Sequence, residues 1–168
     1  MKTLLLVRHA KSSWDSPEQS DFERPLNKRG HRDAPFMGKI IKQLNILPEL
    51  IVSSPAKRAI TTATYYAEEL GYPVQNIIQD EIIYANGPKE ILKMINQIDD
   101  SLNCIMVFGH NPDLSTLFNY LSDNEYGSLP TCGTICIDFE IDSWSNVGET
   151  DGTMRFFEHP KKYFKKND

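Results

Sequence analysis

Three short stretches of this 168-residue chain hold residues of the types used to handle phosphoryl groups: Arg8-His9, Ser53-Ser54 with Arg58, and Gly109-His110-Asn111. A planar guanidinium matches the paired oxygens of a phosphoryl group with two parallel donors, and a neutral imidazole offers a lone pair that can attack phosphorus. Each stretch alone says little. An Arg-His pair after a strand is ordinary surface polarity, a His after Gly suits a turn, and Arg58 suits the wet side of a helix. Together they weigh more, because each follows a short apolar run at what reads as the same edge of a sheet. In open parallel sheets the loops beyond the strand carboxyl ends form the ligand crevice, so residues far apart in sequence can meet there.

The elements that must position them follow from periodicity and from turn residues. Thr3 to Val7 is a short apolar run suited to a buried parallel strand, followed by a polar loop from Lys11 to Leu26 that is long enough to carry function. Asn27 is placed to cap a helix reaching Leu44, with Phe36, Ile40, Ile41 and Leu44 at helical spacing and Pro48 as a stop. Ile51-Val52-Ser53 is a second strand, and Pro55 is expected to open a helix through Leu70 that Gly71 and Pro73 end. Val74 to Ile78 gives a third β signal. A helix from Pro88 to about Ile98, a strand at Cys104 to Phe108 and a helix from Pro112 to Leu121 come next. Thr134 to Ile141 and Thr153 to His159 read as a terminal hairpin. The expected fold is three-layer α/β/α: a mostly parallel sheet, helices on both faces and an antiparallel edge strand.

Composition removes several classes of function. Lys plus Arg number 18 and Asp plus Glu 23, a net charge of −5, the wrong sign for coating nucleic acid or an anionic membrane. The chain length fits one domain over residues 1–168, with Lys161, Lys162, Lys165 and Lys166 forming a solvated basic tail. The longest apolar opening, Leu4 to Val7, is too short for a secretory core or a membrane span, so a cytoplasmic protein is expected. Cys104, Cys132 and Cys136 are an odd number, and the last two would lie too far apart in one extended strand to bridge, which reads as reduced structural thiols. His9, His31, His110 and His159 lack ligand-like spacing, so neither a metal nor an organic cofactor is expected. No G-x-x-x-x-G-K-[S/T] run exists, which disfavours a P-loop nucleotide hydrolase.

Four segments in order carry a family resemblance: Leu5-Leu6-Val7-Arg8-His9-Ala10; Leu26-Asn27-Lys28-Arg29-Gly30; Val52-Ser53-Ser54-Pro55-Ala56-Lys57-Arg58-Ala59 with Thr62-Ala63; and Val107-Phe108-Gly109-His110-Asn111-Pro112. They resemble the histidine phosphatase superfamily, whose fold is phosphoglycerate mutase-like. Arg8-His9-Ala10-Lys11-Ser12 and Gly109-His110-Asn111-Pro112 are most similar to the small SixA-type phosphohistidine phosphatases. The resemblance covers about Lys2 to Leu121. It implies that His9 is the nucleophile that becomes phosphorylated, that Arg8 and Arg58 bind phosphate, and that His110 is the second histidine of the pocket. Arg24, Ser13 and Asn111 are further candidates for contact with substrate.

Arginines beside His9 disfavour its protonation and so keep the attacking form present near neutral pH. Ala10 stands where the superfamily commonly has Gly, which implies a backbone there that needs no positive φ. Asn111 stands where some members have an acid, and neither Asp80 nor Glu81 aligns clearly with the acid others carry. Without an acid, a basic alkoxide leaves poorly, whereas the ring of phosphohistidine can leave as neutral imidazole. The expected activity is therefore metal-independent removal of phosphate from phosphohistidine on a protein, with a phosphate ion as the pocket's other ligand. A broad phosphomonoesterase for small phosphorylated metabolites and a non-catalytic phosphoryl-binding module are the alternatives.

Overall fold

The computed structural model describes residues 1–164. In chain order the elements are β1 (Lys2–Arg8), α1 (Lys28–Gln43), β2 (Leu50–Ser53), α2 (Lys57–Leu70), β3 (Ile78–Gln79), α3 (Pro88–Asn96), β4 (Cys104–Gly109), α4 (Asp113–Leu121), β5 (Thr134–Phe139) and β6 (Thr153–Glu158). They form a six-stranded sheet in the order β3-β2-β4-β1-β5-β6. The strands from β3 to β1 are parallel, while β5 is antiparallel to both of its neighbours.

The alternation of side chains along β1 divides the core into two. Leu4 and Leu6 face a cluster that includes Ile91 and Ile95 of α3 and Leu114, Leu117, Phe118 and Leu121 of α4. Leu5 and Val7 face the opposite cluster, with Ala34, Met37 and Ile41 of α1 and Ala63, Tyr66 and Ala67 of α2. All four β1 residues are fully buried. A strand covered on both faces must be apolar at every position, which is why Leu4 to Val7 reads as a continuous run. Each such side chain contributes about 1.5–3 kcal/mol through burial.

Helix boundaries follow local chemistry. Asn27 Oδ1 accepts from the Gly30 amide at 2.9 Å and caps α1. α2 starts two residues after Pro55, with Ala56 at the cap position, and ends at Gly71 in the left-handed conformation. The expected strand at Val74 to Ile78 is largely a 3-10 turn over Val74–Asn76, and only Ile78 and Gln79 pair with β2. Its apolar residues do not alternate, and Val74 and Ile78 are exposed, so burial holds no longer strand in place. Cys132 lies before β5 in a left-handed turn rather than within a strand, and all three thiols are free. Burial pushes the Cys132 and Cys136 thiols up to about 12, which suits inert core residues.

Lys161 and Lys162 are exposed, while the aromatic residues that follow them pack against α1. A 3-10 turn at Pro160–Lys162 brings Phe164 within 4.7 Å of the Phe36 ring, and the Arg32 guanidinium lies 3.9 Å from the Phe164 ring centre. Lys165 and Lys166 lie outside the described residues. Among those residues no helix is long and apolar enough to cross a membrane.

One close approach links helix α1 to the loop after β1. A Cβ at Gly30 would run into the Lys11 carbonyl oxygen and lie 3.2 Å from Leu26 Cβ. The same carbonyl accepts from the Asn27 amide at 2.9 Å. Gly30→Ala is therefore expected to destabilise the protein by about 1–3 kcal/mol, the usual range for overpacking, measured as a lowered urea midpoint at unchanged slope.

Candidate active site

Strand register brings the candidate residues together. Arg8 is opposite Gly109 in the β1–β4 pair, and Ser53 is opposite Phe108 in the β2–β4 pair. Pairing continues one residue past each strand: the His9 amide donates to Gly109 O at 3.1 Å, and the Ser54 amide to Phe108 O at 2.9 Å. His9, Ser54 and His110 thus leave the sheet at one level, and α2 and α4 start just beyond. Arg8, His9, Arg24, Arg58, His110 and Asn111 all line one pocket of about 290 Å³. Ser13 does not. Its amide donates to Pro25 O and its hydroxyl accepts from the Asp15 amide, so it shapes the loop, while neighbouring Ser12 lines the pocket.

The two rings lie 5.3 Å apart. His9 Nδ1 lies 2.7 Å from Ala10 O, an acceptor, so Nδ1 carries the proton and the Nε2 lone pair stays unbonded. The Ala10 amide donates to Thr62 Oγ1 at 2.9 Å, and Ala10 is not among the residues with positive φ. An alanine fits here, as the sequence implies. His110 Nε2 lies 2.8 Å from Ser54 Oγ, which already accepts from the Ala56 amide. With the Ser54 hydroxyl donating to Nε2, that hydroxyl has an acceptor and Nδ1–H is left as a buried donor with no partner among the described residues.

Burial is the main reason both rings stay neutral. It lowers His9 to about 3, a fall that the hydrogen bond to Ala10 opposes and that His110, Arg58 and Arg8 reinforce. His110 falls to about 4, through burial first and then Arg58. The arginines thus act in the expected direction, but loss of water around the rings acts more strongly.

Three guanidinium groups meet at the pocket, each with a buried Nε that has no partner among the described residues. Arg8 Nη1 donates to Leu129 O at 2.7 Å. Arg58 donates from Nη1 to Asp21 O at 2.6 Å and from Nη2 to Asp21 Oδ2 at 3.0 Å. Arg24 pairs with Asp21 Oδ1 at 3.0 Å, donates to Ser12 Oγ and stacks 3.8 Å from the Trp14 ring centre. Tyr84 adds a hydrogen bond to Asp21 Oδ2 at 2.7 Å. Partial burial pulls the Asp21 carboxyl up, but the bonds from Tyr84, Arg24 and Arg58 outweigh it and hold the group well below the usual carboxylate range.

Asp21, Tyr84, Trp14 and Ser12 were not singled out by their sequence context. Asp21 lies within a polar loop, and only its placement between two arginines sets it apart from Asp15. The acid candidates are elsewhere: Asp80 Oδ1 accepts from the Ile82 amide, Glu81 is exposed, and neither lines the pocket. Asn111 donates to Ser128 Oγ and Leu129 O, bracing the neighbouring loop, and its buried Oδ1 has no protein partner. Among the described residues no three His, Cys, Asp or Glu side chains group closely enough to hold a metal.

Residues 4–82 match the model of the histidine phosphatase superfamily, branch 1. A chloroplastic protein of Arabidopsis thaliana is 33% identical over 116 residues, 69% of this chain and 51% of its own length. The 2,3-bisphosphoglycerate-dependent phosphoglycerate mutase of Bifidobacterium longum is 35% identical over 77 residues, 43% of this chain and 31% of its own. This chain thus spans about half or less of these two relatives. Among solved structures, a SixA from Agrobacterium tumefaciens superposes with a TM-score of 0.80 at 23% identity, covering 95% of this chain and 98% of that one. A SixA complexed with tungstate gives 0.76 at 18% identity, covering 95% and 98%. The chain is thus similar in sequence to the histidine phosphatase superfamily over residues 4–82, and its fold is that of the small SixA structures.

Two buried neutral histidines make stability depend on pH in a defined sense. In the folded state the rings resist protonation until about pH 4 and 3, while the unfolded chain takes up protons below its ordinary value of about 6.5. Their contribution is complete above that value and is lost as pH falls toward 4. The melting temperature is expected to drop between pH 6.5 and 4.5, with a shallower slope in a His9→Asn/His110→Asn double variant, measured by calorimetry across that range.

Proposed function

We propose that the protein is a phosphatase that removes the phosphoryl group from phosphohistidine on a protein, without a metal, through a phosphorylated His9. In the first step His9 Nε2 attacks phosphorus as the bond from phosphorus to the substrate nitrogen breaks. The substrate ring takes a proton from solvent on its second nitrogen and leaves as neutral imidazole. In the second step water attacks phosphorus, the P–Nε2 bond breaks, and His9 returns as neutral imidazole with its Nδ1 proton still held by Ala10 O. The water proton leaves on phosphate or to solvent. Arg8, Arg24 and Arg58 supply fixed donors to the phosphoryl oxygens, the part a metal plays elsewhere, and His110 donates from Nδ1.

The observation that carries this reading is the state of Asp21. It is the one carboxylate among the described pocket-lining residues, and three hydrogen-bond donors hold it ionised. A site without a proton to give favours a leaving group that needs none from the enzyme. The resemblance to SixA structures, one of them complexed with tungstate, supports the same reading.

The test is phosphate release from a chemically phosphorylated histidine protein, with p-nitrophenyl phosphate in parallel and chelator present. Release from phosphohistidine is expected to exceed ester hydrolysis by far and to vanish in His9→Ala. Equal or better ester turnover would indicate a phosphomonoesterase, and no turnover of either would indicate a binding module. Arg58→Ala is expected to weaken competitive inhibition by inorganic phosphate at least about tenfold, the loss of one charge-assisted hydrogen-bonding group.

A further inference from the structure

Beside the phosphoryl pocket lies a second depression of about 210 Å³, and Thr131 lines both. Its charged lining consists of Arg29, Arg32 and Lys161 around one buried carboxylate, Asp33. Arg32 directs Nε and Nη2 onto Asp33 Oδ1 at 2.9 and 2.7 Å, with its guanidinium over Phe164. Arg29 touches Asp33 only at 3.6 Å through Nε, and one Nη2 bond of 3.2 Å reaches Thr131 Oγ1. Asp33 is thus taken up mainly by Arg32. Arg29, 48% exposed, keeps most of its donors, and among the described residues no hydrogen bond engages the exposed Lys161 ammonium.

In a chain of net charge −5 this is a concentration of positive charge, and it continues that of the phosphoryl pocket, where three arginines and Lys11 outnumber Asp21. A field of one sign running across both depressions favours a ligand that is anionic at two points, one at the reacting phosphorus and one beyond Thr131. We propose that the groove formed by Arg29, Lys161 and Thr131 receives an Asp or Glu side chain lying close to the phosphohistidine on the substrate protein. This rests on the reading of the pocket as a phosphohistidine site and adds to it the character of the flanking sequence. Arg32 is spent on Asp33 and on Phe164, and it holds the groove wall in place.

The probes are two peptides of equal length, each phosphorylated on a single histidine with phosphoramidate. In one the neighbouring residues are Asp and Glu, in the other Asn and Gln. Two exposed ion pairs at about 0.5 kcal/mol each give a roughly fivefold preference for the acidic peptide in kcat/KM at low salt. The preference resides in KM, fades as KCl shortens the screening length, and drops to near one in the Arg29→Ala/Lys161→Glu variant. Damage to the fold would slow both peptides alike and leave the ratio intact, so the ratio reads the groove alone. A wild-type ratio near one, or one that survives in the variant, overturns the subsite while leaving the phosphohistidine reading standing. Failure of the wild type to release phosphate from either peptide overturns both. If the variant keeps the peptide ratio but loses a preference for fructose 1,6-bisphosphate over fructose 6-phosphate, the groove holds a second phosphate and the acidic-flank assignment falls.

Discussion

Arg8, Arg24 and Arg58 share one small pocket, and the repulsion among them has to be offset before an anion arrives. Asp21 does this with both carboxylate oxygens and its backbone carbonyl, engaging Arg24 and Arg58 together while the Tyr84 hydroxyl donates to the Oδ2 that Arg58 also bonds. Its ionised state follows from the same contacts, since a carboxylate between two guanidinium groups has every reason to shed its proton. Arg8 is handled separately, through a carbonyl on the loop before β5. The pocket is thereby arranged in advance. Its donors are oriented by protein partners, so an anion entering it would meet fixed charges rather than freely moving side chains.

The sheet provides the second layer of order. A one-residue slip of β1 against β4 would exchange the Leu4/Leu6 and Leu5/Val7 sets between two packed layers and carry His9 away from His110. Core packing therefore enforces the alignment of the pocket residues at the strand ends. The helices reinforce it at their starts, where Asn27 caps α1 beneath Lys11 and Thr62 of α2 receives the Ala10 amide.

Much of this was legible in the chain. Continuous apolar strands, helix stops at Gly71 and polar residues just past three strand ends were enough to put His9, Arg8, Arg58 and His110 in one crevice. What stayed hidden depended on long-range geometry. Nothing local distinguishes Asp21 from Asp15, or Ser12 from Ser13, because their roles are set by which arginine lies across the loop. The neutral state of His9 was expected from nearby charge, yet burial acts more strongly, and burial of a polar residue is not written in its neighbours. The strand expected at Val74 failed for a related reason: Val74 and Ile78 have no layer to cover them.

Residues at the floor of the pocket and residues that form its rim belong to different kinds of structure. Arg8, His9 and His110 are at or just past strand ends, and Arg58 is in the first turn of a helix. Trp14, Asp21 and Arg24 are on a single loop between Lys11 and Leu26, clasped at its base by the Ser12–Leu26 bridge. That base makes the loop an exchangeable cassette. A change in its sequence or length would alter the rim of the pocket while leaving the strand ends beneath it in place.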